Sequence, residues 1–323
     1  MFRKIAHRLL WAIPTLWAIG SISFFIIRLA PGGPFERERA LDPLVIASLE
    51  REYGIAPAPP MPPGAGLGAR AANQTKHLAR QYLRYMGGLC RGDMGPSLYY
   101  PGLKVSEILL NSLRTSFVLG AAALSIAFLF GIVAGTLAAW KRDTALDHGA
   151  RAFAVAGISL PNFVIGEMFL LVFGLWLKVL PAGGWGRPAC LILPALTLAL
   201  PLSAYIARIY RASLIEVLGQ DYIRTARAMG TGWFRVLFGM AVRNAILPVI
   251  SFMGPAAAAV VTGSVVVERL FAIPGMGTHF VNGALNRDYT LVLGAVMVYG
   301  ALLILCNILV DVAYTLIDPR IRL

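Results

Sequence analysis

The chain has 323 residues, of which 58% are hydrophobic and only 14% charged, with a mean hydropathy of +0.70. A soluble domain carries about 25% charged residues, and disordered chains are poor in apolar ones, so both classes are excluded and a polytopic membrane protein remains. The net charge of +13 then reads as Lys- and Arg-rich cytoplasmic loops, not as a nucleic-acid surface.

A spanning helix needs about 20 mostly apolar residues. Six windows qualify, at 9–30, 113–139, 152–177, 190–208, 246–267 and 289–314. The first follows Arg3, Lys4 and Arg8, like a signal peptide, but is too long for one. Pro31 also follows Ala30 where cleavage would need a small-residue site, so the window reads as a retained span.

The segment 31–112 follows. Asp42-Pro43 reads as a helix start and Gly54 as its stop, with Leu44, Ile46, Leu49 and Tyr53 between them. Residues 56–68 are Pro/Gly-rich and irregular. A second amphipathic helix is predicted near 74–89, with Leu78, Tyr82, Tyr85, Met86 and Leu89 on one side.

Charge sets the orientation. One side receives fourteen Lys and Arg (Arg3, Lys4, Arg8, Lys141, Arg142, Arg151, Arg208, Arg211, Arg224, Arg227, Arg235, Arg243, Arg320, Arg322). The opposite short loops hold four: Lys178, Arg187, Arg269 and Arg287. Both termini are therefore predicted to be cytoplasmic, and 31–112 external. The predicted organisation is a first span within 1–30, the external segment 31–112, a five-helix core over 113–314, and a tail at 315–323.

Polar residues inside the spans are expensive and should face a cavity or a partner. Glu167 lies in the third window, beside Pro161-Asn162. These three are candidates for a path through the membrane, with Glu167 facing either that path or a structural hydrogen-bond partner. Pro194 and Pro201 fall in the fourth window. After the fifth, Glu268, Phe271, Pro274, Gly275 and Gly277 form either a plain loop or an outer gate. Cys90 and Cys190 both fall outside the membrane on this topology, which leaves a disulfide open, while Cys306 reads as helix packing.

The chain has no G-x-x-x-x-G-K-[ST] phosphate loop and no H-E-x-x-H, and its four histidines are scattered. An enzyme is therefore the minority reading, and no metal site is expected. The longest internal loop, 208–247, is also the most charged. Asp221 can cap a helix that Gly230 ends, and a second helix from Trp233 to about Asn244 leads to Pro248. Two short helices bent at a glycine suit either docking on another protein or a solvated hairpin.

The run DYIRTARAMG…RNAILPVIS resembles the cytoplasmic EAA–G–LP signature of binding-protein-dependent ABC importer permeases, with Arg224-Thr225-Ala226 in the EAA position. FFIIRLAPGGPFERERALDP, GDMGPSLYY, VVVERLFAIPGMG and LVDVAYTLIDPRIRL resemble the dipeptide/oligopeptide/nickel branch. LAPGGPFERER is especially like the oligopeptide permease B subunits.

The resemblance implies an all-α, six-helix type I importer permease in a bacterial inner membrane. It also implies a second homologous permease, two cytoplasmic ATPase subunits that hold ATP and Mg, and an external solute-binding protein delivering peptide. ATPase coupling would fall to Asp221, Tyr222, Arg224, Thr225, Ala226, Arg227, Ala228 and Gly230. Nickel or another small solute is the alternative cargo, and a channel or receptor with a cytoplasmic effector the alternative class.

Overall fold

The computed structural model describes residues 2–29 and 66–317. The predicted helix at 42–54, most of the Pro/Gly stretch 56–68 and the end of the tail lie outside the described residues. Among those described, the structure is helical, with one isolated antiparallel bridge between Pro96 and Lys104.

In chain order the helices are α1 (Phe2–Leu29), α2 (Leu67–Cys90), α3 (Val105–Trp140), α4 (Ala145–Ser159), α5 (Asn162–Phe169), α6 (Pro188–Leu218) and α7 (Asp221–Ala228). They continue with α8 (Val242–Ala245), α9 (Leu247–Val261), α10 (Val265–Leu270), α11 (Met276–Leu285) and α12 (Tyr289–Ile317). Wider π-helical stretches, Leu170–Trp176 and Arg235–Ala241, extend α5 and precede α8. Among the described residues four helices are long and apolar enough to cross a membrane, with candidate spans at Ile5–Arg28, Val105–Trp140, Pro188–Leu218 and Tyr289–Leu316. Two bent pairs raise the total to six if each pair is one span.

Both bends have a local cause. The third window is not one helix: α4 and α5 meet at 104° across Leu160-Pro161. Proline pushes the preceding residue out of the helical region, and Leu160 is extended at φ −83, ψ 128. The second pair bends by 48° at Ile246, two residues before Pro248. The fifth window also ends early. The helix stops at Val261, and Gly263 turns the chain at φ +100 before α10 begins. By contrast, α6 runs through Pro194 and Pro201 without interruption.

The described chain forms two compact units. The first comprises Met1–Leu10, Leu113–Thr278 and Ala301–Leu323. Its helices approach closely where residues are small: a Cβ on Gly135 of α3 would lie 2.9 Å from the Ala207 carbonyl oxygen of α6. Such close approach is how helices pack without a hydrophobic driving force from lipid. Two buried clusters result. One joins Ile206, Tyr210, Leu214 and Val217 of α6 to Ile223, Ala226, Val236, Leu237 and Val249. The other joins Leu119 and Ala123 to Leu193, Leu198, Val267, Phe271 and Ile273.

The second unit comprises Trp11–Ser112 and His279–Gly300. Here α2, longer than predicted, packs antiparallel to the end of α1. Tyr82 bonds Ser21 at 2.7 Å and Tyr85 stacks on Phe24, while Gln81 accepts from Arg28. Asp288 is fully buried and accepts from Ser97 Oγ, the Tyr99 amide and the Leu291 amide, so it ties segment 97–100 to the start of α12. Cys90 is exposed, Cys190 buried and Cys306 half-buried, all three as free thiols.

Candidate functional site

The charged loop folds as two helices around Gly230. Asp221 is not the N-cap: that position is Gln220, extended at φ −75, ψ 152, and Asp221 is the first helical residue. Its carboxylate lies in solvent, 3.7 Å from Arg224. A negative charge in the first helical turn still favours the helix through the macrodipole.

The helix ends as the glycine requires. Gly230 donates to the Arg227 carbonyl at 2.9 Å and Thr231 to the Ala226 carbonyl at 3.0 Å, with Gly230 at φ +82. A Cβ there would meet nothing within 4 Å, so the demand for glycine comes from the backbone conformation and not from space.

Helix α7 has two faces. Ile223 and Ala226 are buried in the first cluster, packed with Leu214 and Val217 of α6. Of the eight predicted coupling residues, Ala226 alone faces inward; the other seven are exposed. Arg227 lies over the Trp233 ring at 4.6 Å, and Asn244 donates to the Tyr222 hydroxyl at 2.9 Å. The next helix continues this surface with Phe234 and Phe238, stacked 6.2 Å apart and 73% and 61% exposed. An anchored helix with an exposed, mixed basic and aromatic surface can take up another protein.

The segment after the fifth window is a compact knot around Glu268. That side chain is fully buried. It accepts from Ser116 Oγ at 2.8 Å and from the Thr278 amide at 3.0 Å. A Cβ on Gly275 would lie inside its carboxylate, and one on Gly277 would come within 3.2 Å of it. Phe271 is buried with it, whereas Pro274 is exposed. Burial pushes the Glu268 carboxyl above the usual range, with the Ser116 and Thr278 hydrogen bonds opposing. Of the predicted loop residues, Gly275 and Gly277 thus close on the buried carboxylate of Glu268.

Pro161, Asn162 and Glu167 are all exposed on the described chain. Glu167 shares its surface with Phe163 and Leu171, 47% and 56% exposed. A carboxylate among apolar side chains in a candidate span requires water or a polar partner.

Two features escaped the sequence. Ser116, the bridge to Glu268, sits in the apolar third helix with nothing local to mark it. Asp147 is fully buried at the start of α4 and holds Arg211 of α6 through Nε–Oδ1 at 2.6 Å and Nη2–Oδ2 at 2.7 Å. Its pairing across 64 positions has no local signature. Among the described residues no group of three or more His, Cys, Asp or Glu could hold a metal ion.

The protein family described as binding-protein-dependent transport system inner membrane component matches residues 131–323. Similarity to individual proteins extends over the whole chain. The oligopeptide transport system permease protein OppB of Salmonella typhimurium is 44% identical, covering 100% of both chains. That of Haemophilus influenzae is 42% identical with the same coverage. The dipeptide transport system permease protein DppB of Bacillus subtilis is 38% identical over 97% of this chain and 96% of its own.

Proposed function

The chain belongs to the family of binding-protein-dependent transport system inner membrane components, and on that premise we propose that it is a peptide permease of an ATP-driven importer. Oligopeptides are its cargo, with dipeptides in the same class, as the relatives' names suggest. It forms half of the translocation path beside a second, homologous permease, and an external solute-binding protein delivers the peptide. The chain carries no cofactor of its own; two cytoplasmic ATPase subunits bind ATP and Mg.

The observation that carries the coupling role is the two-faced α7. Ile223 and Ala226 lock it to the end of α6, while Tyr222, Arg224, Thr225 and Arg227 remain exposed for a partner. A movement of the docked ATPase would therefore be transmitted to a spanning helix. Glu268 and its neighbours act as a rigid plug on the outer side, since a buried, bonded carboxylate holds the loop in one shape.

Both termini lie in the cytoplasm. Arg8 near the start of α1 pairs with Asp311 near the end of α12 at 2.6 Å, which supports placing them on one side of the membrane. A reporter fused after Leu323 should be active in the cytoplasm, and cysteines placed in 56–68 should be labelled only from outside. Labelling of that segment from the cytoplasm would reverse the topology.

The deciding experiment is purification of the assembled complex with identification of the solute held by its binding protein. Peptide in the binding protein, with ATPase subunits retained on this chain, is the expected result. A bound metal would replace the cargo assignment, and a chain that purifies without ATPase partners would end the importer reading.

A further inference from the structure

We propose that Asp147 and Arg211 are positioning residues for coupling: their ion pair is the joint that passes movement of α7 and α6 to α4, and so to the bend at Leu160-Pro161. The inference rests on the docking role proposed for α7.

The Asp147 carboxylate has its acceptor sites filled from three elements. Oδ1 takes Arg211 Nε at 2.6 Å. Oδ2 takes Arg211 Nη2 at 2.7 Å and the Asp143 amide at 3.0 Å, with Arg151 Nη2 at 3.4 Å. Asp143 is left-handed at φ 60, so the carboxylate also closes the tight turn between α3 and α4. One side chain thus sets the α3–α4 turn, the start of α4 and the cytoplasmic part of α6.

Arg211 stands seven residues before Leu218, the last residue of α6, or about 10 Å along the helix. Beyond lie Gly219, Gln220 and α7, whose Ile223 and Ala226 pack on Leu214 and Val217. At the other end of α4 the chain breaks at Leu160-Pro161 and turns through 104° into α5, where Glu167 is exposed. The order is docking helix, α6, ion pair, α4, bend, α5.

A buried ion pair is a weak source of net stability but a strong fixer of geometry, because its alternative is an unpaired buried charge. The two-pronged contact adds direction: a guanidinium fork on a carboxylate resists rotation of α4 against α6, which an apolar contact would permit. Lysine would preserve the charge and lose the fork.

The test uses the complete complex in liposomes, supplied with its peptide-loaded binding protein, with ATP hydrolysis and peptide uptake measured together. Arg211→Lys and Asp147→Asn should retain the ATPase subunits and continue to hydrolyse ATP. Uptake per ATP should fall by at least about tenfold, the equivalent of about 1.4 kcal/mol of lost coupling. A purely structural role would lower the amount of complex and leave the ratio in the surviving fraction unchanged; that result in Arg211→Lys would overturn the proposal. Gly230→Val is assayed in parallel: normal uptake there would remove the docking role of α7 itself, whatever the pair variants do.

Discussion

Ser116 and Glu268, 152 positions apart, are held together by a hydrogen bond of 2.8 Å in which Ser116 Oγ donates to Oε1, while the same hydroxyl accepts the Met276 amide at 2.8 Å. One hydroxyl therefore satisfies a buried carboxylate and a buried backbone donor. Ser116→Ala would leave both short of a partner, at a cost of about 1–3 kcal/mol for each group left unsatisfied. Thermal unfolding of the purified complex should show the loss. The carboxylate also sets a pH dependence. An acid whose folded pKa is raised stabilises most fully below its unfolded value, here the ordinary 4.5, and that contribution is lost as pH rises through the folded value. Glu268→Gln should flatten this fall in stability with rising pH, and an unchanged slope would assign it to another group.

Gly230 sits at φ +82 with open space around its Cα. A left-handed conformation costs other L-residues about 1–2 kcal/mol, asparagine least among them. Gly230→Val should therefore leave the chain inserted while abolishing peptide uptake, and Gly230→Asn should retain a measurable part of it. Equal loss in both variants would point to contact with the glycine itself and not to its backbone shape.

Arg224 and Arg227 flank the proposed docking surface but differ in environment. Arg224 is open to solvent beside Asp221, whereas Arg227 lies over the Trp233 ring. Exposed charges are screened within about 10 Å at 0.1 M salt, a face-on ring contact much less. Arg224→Ala should weaken ATPase retention at low salt and match wild type at high salt. Arg227→Ala should weaken it at both, and Arg227→Lys should restore part. Retention of the ATPase subunits on the solubilised chain across a salt series separates the two.

Glu167 projects from α5 next to exposed apolar side chains. A charge at the centre of a span costs about 2.5–3.5 kcal/mol, which a water-lined path or a partner subunit must offset. If it faces the path, Glu167→Gln should change uptake of peptides with basic amino-terminal residues more than that of neutral ones, with assembly intact. Loss of the assembled complex would assign it to the interface between the two permeases.

What could be read from the sequence is what neighbouring residues decide among themselves. Apolar length located the four long apolar helices among the described residues, because the requirement is met within one segment. The Gly230 bend was legible for the same reason: a helix stops where the backbone must turn left-handed. The bend at Leu160-Pro161 obeys an equally local rule, yet an apolar window covering 152–177 masks it, since hydropathy counts residues and ignores the missing amide.

The tertiary structure decided the pairings. Asp147 reads as one more charge in a loop until α4 lies against α6 and brings Arg211 within 2.6 Å. Ala226 belongs to a surface motif in sequence, but α7 lands on α6 with that residue and Ile223 beneath it. Glu268 could have lined an opening; only the folded knot, with Ser116 supplied from another helix, shows it buried and bonded. A carboxylate's role depends on the donors that surround it, and those donors come from residues that only the fold brings near.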